Sequence, residues 1–117
     1  LRGDIYNFYK KRKYSFITII HPQAIISNNV KIGEGVNIMA GVIIQTGTII
    51  HENSIINTGA LIDHECVIQK NVHIAPGVVV CGNVQIGKNT FIGAGANILP
   101  NTIIPENSVI GAGKIFK

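Results

Sequence analysis

The chain has 117 residues, of which 46% are hydrophobic, 13 are glycine and only 14% are charged, against about a quarter in an average domain. This balance argues against disorder, and no apolar stretch approaches the ~20 residues of a membrane-spanning helix or resembles a secretory signal. The net charge of +4 is local, since residues 1–20 carry Arg2, Lys10, Lys11, Arg12 and Lys13 against Asp4, while residues 21–117 hold five lysines against five acids.

A nucleic-acid binder carries its charge on the folded surface that meets the phosphates, so no nucleic-acid partner is expected here. The basic cluster reads as a solvated helix face or linker. Within it, Asp4 to Tyr14 can form a short helix, and Ser15 to Ile20 reads as a strand entering the next segment through His21-Pro22. With no initiator Met, the chain reads as the C-terminal piece of something longer. Residues 1–20 are then a linker or the remnant of a missing domain, and 21–117 the folded body.

From Ile26 onward, every sixth residue is Ile, through Ile32, Ile38, Ile44 and so on to Ile110, with Val80 the one substitution in fifteen steps. Two places earlier stands a smaller residue: Ala24, Val30, Val36, Val42, Thr48, Ser54 and onward to Ser108. A period of six divides by two, so both residues point to one side of a short strand, whereas a 3.6-residue helix would scatter them. Three places after each Ile comes Asn or Gly, from Asn29 and Gly35 to Gly113, with one exception. These are the residues that accept the positive φ of a type II turn at least cost. Each unit of six is therefore a strand and a turn.

The pattern resembles the hexapeptide-repeat left-handed parallel β-helix. That resemblance supplies the left hand and the three units per coil of 18 residues. On this reading residues 24–116 supply about five triangular coils, all-β, with the Ile columns inside and parallel ladders between coils. Cys66 takes a small inward slot and reads as a buried hydrophobe, while Cys81 follows Val80 at a turn. The two cysteines lie on different columns and lack metal-binding spacing, so a disulfide is not expected and a reducing, cytoplasmic compartment is the default.

The exception among the fifteen turn residues is Glu65, in Asp63-His64-Glu65-Cys66. A Glu forced to positive φ costs about 1–2 kcal/mol against Gly. A site that breaks an otherwise consistent rule invites a functional reading. A histidine flanked by two carboxylates suits a general base, whereas the alternative is a surface His in a turn that tolerates a poor residue. One coil beyond His64 stands Gly82, which leaves room for a ligand and offers a backbone N–H to a thioester carbonyl. His73 points outward from a strand, in a column with Ile55 and Phe91, and His51 and His21 read as surface residues. His64 and His73 lie half a coil apart, so they meet only across an interface between chains. Outward apolar residues such as Ile43, Leu61, Ile49, Val67, Ile55 and Phe91 mark such an interface.

The run Asn57-Thr58-Gly59-Ala60-Leu61-Ile62-Asp63-His64-Glu65-Cys66, continuing through Val72-His73-Ile74-Ala75-Pro76-Gly77, resembles one branch of the hexapeptide acyltransferases. It is the sialic acid O-acetyltransferase type, which includes the bacillosamine and perosamine N-acetyltransferases. The resemblance spans residues 14–113, roughly, and implies a homotrimer that binds acetyl-CoA between neighbouring β-helices, with no metal. It assigns His64 as general base and Glu65 as the carboxylate beside it, with Asn57, Asp63, His73 and Gly82 lining the substrate and acyl-donor site. It also implies two departures. The family carries an N-terminal sugar-nucleotide domain and a tail beyond the last coil, and this chain is expected to lack both. The rival readings are a metal enzyme of the γ-carbonic anhydrase kind and a non-catalytic structural β-helix. The first needs two histidines five apart, and the second favours regular outward Thr columns; neither feature is present.

Overall fold

The computed structural model describes residues 1–117, as one helix followed by seventeen two-residue strands. The strands fall into three parallel sheets, the faces of a triangular prism. The first face runs from Ile19–Ile20 through Ile55–Ile56, His73–Ile74 and Phe91–Ile92 to Val109–Ile110. The second runs from Ile25–Ile26 through Leu61–Ile62 and Val79–Val80 to Ile115–Phe116, and the third from Lys31–Ile32 to Ile103–Ile104. Every strand pairs with the one 18 residues on, as in Ile55↔His73↔Phe91 and Ile43↔Leu61↔Val79. The molecule is the left-handed β-helix that the hexapeptide pattern requires, and the first strand, Ile19–Ile20, already pairs in register with Asn37–Ile38.

Each expected turn residue has the left-handed backbone, from Asn29 (φ 63°) and Gly35 (φ 68°) to Gly113 (φ 70°), and Glu65 shares it at φ 55°. The Ile column is sealed inside, with Ile44, Ile56, Ile62, Ile68, Ile74, Ile86, Ile92 and Ile98 fully buried. The first coil has nothing beneath it, so Ile26 and Ile32 are only half-buried.

The smaller inward column explains how polar residues enter this core. Thr48 Oγ1 donates to the Asp63 carbonyl at 2.8 Å, Ser54 Oγ to the Gln69 carbonyl at 3.0 Å, and Thr90 Oγ1 to the Pro105 carbonyl at 3.2 Å. Each donates to the carbonyl fifteen residues on, where the chain leaves the third strand on for a turn. Cys66 fills the same slot, its Sγ 3.2 Å from the Cys81 carbonyl, and burial pushes its thiol pKa up. No buried side-chain polar atom lacks a partner.

The helix spans Arg2–Lys11, whereas the sequence suggests Asp4 to Tyr14. It stops early because Lys13 turns to φ 64°, while Lys13 N–H donates to the Lys10 carbonyl at 2.9 Å and Tyr14 N–H to the Tyr9 carbonyl at 3.1 Å. This is a Schellman cap with lysine where glycine is usual. Tyr6 fixes the helix to the vertex between the third and first faces, its hydroxyl donating to Glu34 Oε1 at 2.7 Å and its ring 4.7 Å from that of Phe16. Lys10 Nζ adds an ion pair to Glu34 at 2.6 Å, and the Arg2 guanidinium donates to the Asn53 carbonyl.

Candidate active site

Asp63, His64 and Glu65 form the turn between Leu61–Ile62 and Val67–Ile68, at the vertex of the second and third faces. The three side chains are used differently. Asp63 Oδ1 accepts the His64 backbone N–H at 2.8 Å, so this carboxylate caps the turn. Glu65 Oε1 stands 4.0 Å from His64 Nδ1, the one carboxylate aligned with the ring, and both side chains are more than half exposed.

Two glycines make room for this pair. The His64 ring rises over the next coil, where a Cβ on Gly82 would lie only 2.5 Å from Nε2. The Glu65 carboxylate leans the other way, over Gly47, where any Cβ would overlap Oε2. Gly82 N–H donates to no intramolecular acceptor, which leaves it a free donor. Gly47 was not singled out in the sequence, although the signal was there. It precedes Glu65 by 18 residues, as His64 precedes Gly82.

His73 lies on the first face, its ring edge-on to Phe91 at a centroid distance of 5.2 Å. Its Nε2 is 3.4 Å from Asn57 Nδ2. Asn57 Oδ1 already accepts the Thr58 N–H at 2.8 Å, which turns the amide nitrogen toward the ring. The network therefore assigns Nε2 as acceptor and places the ring proton on Nδ1. Burial lowers the His73 pKa, and the charge of Arg2 lowers it further. Arg2 is a second residue that the sequence did not flag, because only helix docking brings it near this face.

One chain thus assembles two separate groups of polar residues. Asp63, His64, Glu65 and Gly82 share a vertex, and Asn57 and His73 share the first face, opposite that vertex. The structure brings together the members of each set and keeps the sets apart. The largest groove, about 580 Å3, belongs to neither. It follows the third face and its far vertex, where Glu52, Lys70, Lys88 and Glu106 offer mixed charge, Lys88 lying 3.8 Å from Glu106. Size does not make it the reaction site, because no histidine there is aligned with a carboxylate as His64 is with Glu65. No group of three or more His, Cys, Asp or Glu side chains is placed to hold a metal ion.

Solved structures extend this picture. A perosamine N-acetyltransferase from Caulobacter crescentus, solved with CoA and GDP-perosamine, shares 34% identity over 98% of this chain with a TM-score of 0.96. The acetyltransferase domain of PglB from Neisseria gonorrhoeae shares 33% over 99%, also with a TM-score of 0.96. The same domain in complex with acetyl coenzyme A shares 31% over 97%, with a TM-score of 0.92. This chain spans 55%, 57% and 58% of those three chains respectively. A Bacillus cereus N-acyltransferase, AntD, at 21% identity and a TM-score of 0.79, shares the fold. No curated protein matches at a significant level. The bacterial transferase hexapeptide model (six repeats) matches residues 29–64, 65–100 and 83–116, and by that match, together with the unbroken ladder of eighteen-residue coils, the chain belongs to the bacterial transferase hexapeptide family.

Proposed function

We propose that this chain is the acyl-transfer body of an acetyl-CoA-dependent sugar acetyltransferase whose acceptor is a nucleotide-linked amino sugar. The observation that carries the reading is the His64 ring standing over Gly82, beside an amide N–H with no partner of its own. The relatives bound to CoA, to acetyl coenzyme A and to GDP-perosamine support the choice of donor and acceptor. The reaction is assigned to the cytoplasm, as two free cysteines suggest, and no helix is long and apolar enough to cross a membrane.

Acetyl-CoA supplies the acetyl group as a thioester, and the chain's residues fit that chemistry. Gly82 N–H donates to the thioester carbonyl oxygen, most strongly as negative charge builds there. His64, with Glu65 aligned on Nδ1, takes the proton from the attacking amine or hydroxyl as the new C–N or C–O bond forms. The C–S bond then breaks, and His64 returns the proton to the departing thiolate. Glu65 stabilises the transient imidazolium across 4.0 Å and tolerates φ 55° in order to stand there.

The separation of the two groups supports a homotrimer. Threefold packing sets the His64 vertex of one chain against the Asn57–His73 face of the next. The outward residues suit such contact, because Phe91, Ile103 and Val109 are exposed although large and apolar. The test is CoA release from acetyl-CoA in the presence of nucleotide-linked amino sugars. Replacing the general base in His64→Ala is expected to slow transfer by about 10²–10⁴-fold. Transfer at the unmodified rate would overturn the assignment of His64.

A further inference from the structure

Beside the His64 turn, on the second face, lies an apolar cavity of about 200 Å3 lined by Gln45, Leu61, Asp63, Val79, Val80 and Cys81. Asp63 and Cys81 are the residues immediately before His64 and Gly82, so the cavity opens one residue from the paired base and free amide. Its only ionisable carboxylate, Asp63, is engaged at Oδ1 by the His64 N–H. The other walls are the Gln45 amide, Leu61, Val79, the backbone of the buried Val80 and the half-buried Cys81. Such a lining suits hydrocarbon and offers little to a phosphate or a ribose. It is also smaller than the roughly 300–1,000 Å3 that ligand-sized molecules fill.

We infer that this cavity receives the alkyl end of the acyl group and that Leu61 and Val79 set the chain length the site accepts, an inference that rests on the thioester reading above. A thioester with its carbonyl on Gly82 N–H has its sulfur and its alkyl group on opposite sides of that carbon. On this inference the alkyl side lies toward the second face, where Asp63 and Cys81, walls of the recess, directly precede His64 and Gly82. A methyl-sized group needs about 30 Å3, by comparison with water. The cavity therefore has space for several methylenes beyond acetyl, and it predicts a short-chain acyl donor range. Leu61 and Val79 are cross-strand neighbours, paired directly between coils, so a larger side chain at either shortens the recess.

The test is calorimetric titration of the whole chain with CoA, acetyl-CoA and butyryl-CoA. The unmodified chain is expected to bind butyryl-CoA at least as tightly as acetyl-CoA. Val79→Phe fills the recess from an outward strand position, and is expected to lower the butyryl-to-acetyl affinity ratio by about ten-fold or more, the range one or two methylenes command in an apolar pocket. Leu61→Ala, which widens it, is expected to move the ratio the other way for hexanoyl-CoA. If thioesters bind but neither variant moves the ratio, the acyl recess is refuted while the donor assignment stands. If neither CoA nor its thioesters bind, the donor assignment fails and the inference falls with it.

Discussion

The imidazole of His64 lies over the backbone of Gly82 one coil on, so close that a Cβ at residue 82 would stand 2.5 Å from Nε2. Gly82→Ala must therefore push the ring aside, away from the amide it accompanies. The ring is exposed, so it swings cheaply, and the loss of stability is expected to stay within about 0.5 kcal/mol. The geometry is less forgiving. Displacing a base by about 1 Å costs on the order of 10²-fold in rate. Transfer rate and thermal midpoint measured on the same preparation separate the two effects, and full activity in Gly82→Ala would mean that the clearance is incidental.

Glu65 stands at φ 55°, where fourteen other turns of the helix use Gly or Asn. Glu65→Gly relieves that backbone and is expected to stabilise the chain by about 1 kcal/mol, raising the melting temperature by a few degrees while lowering transfer. A gain in stability with a loss of function would identify Glu65 as a residue retained for chemistry. A loss of stability would instead make its contact with Gly47 structural.

How much of this was legible beforehand follows from the kind of constraint involved. The Ile column and the Gly or Asn turns repeat every six residues, so every coil restates the rule and the fold is over-determined. Glu65 was visible for the same reason, as a departure from a strict pattern. Gly82 followed from adding 18 to His64, although its steric role, clearance for the ring, needed side-chain coordinates. The helix end at Lys11 was hidden because Lys13, a poor left-handed residue, closes the cap. Arg2 was hidden because it reaches the first face through docking at Tyr6 and Asn53, contacts that no periodicity announces.

The inward hydroxyls carry a stability prediction. Thr48 is fully buried, donates to the Asp63 carbonyl at 2.8 Å and accepts the Cys66 N–H at 3.2 Å. Thr48→Val keeps the shape and orphans both groups, at an expected cost of about 1–3 kcal/mol in urea unfolding. Because Asp63 begins the turn that carries the proposed base His64, the same variant is expected to weaken transfer. A neutral result would mean that the turn re-satisfies these groups on its own.

His73 sets a pH dependence. Burial and then Arg2 hold its pKa below the ordinary value, so it binds fewer protons folded than unfolded. Stability contributed this way is complete above the unfolded pKa of about 6.5 and declines as pH falls below it, because the unfolded chain takes up the proton first. Unfolding measured across this range is expected to show that decline, and His73→Phe is expected to flatten it. In Arg2→Gln the His73 imidazole resonances are expected to titrate higher than in the parent chain, yet still below the ordinary value because burial remains. An unchanged titration would remove Arg2 from the account.

The central claim is that His64 and Gly82 form a CoA-thioester site completed by a neighbouring copy. Calorimetric titration of acetyl-CoA, with the oligomer mass recorded on the same sample, tests it most directly. The account predicts a trimer that saturates at one acetyl-CoA per chain. A folded trimer with no affinity for acetyl-CoA would contradict it.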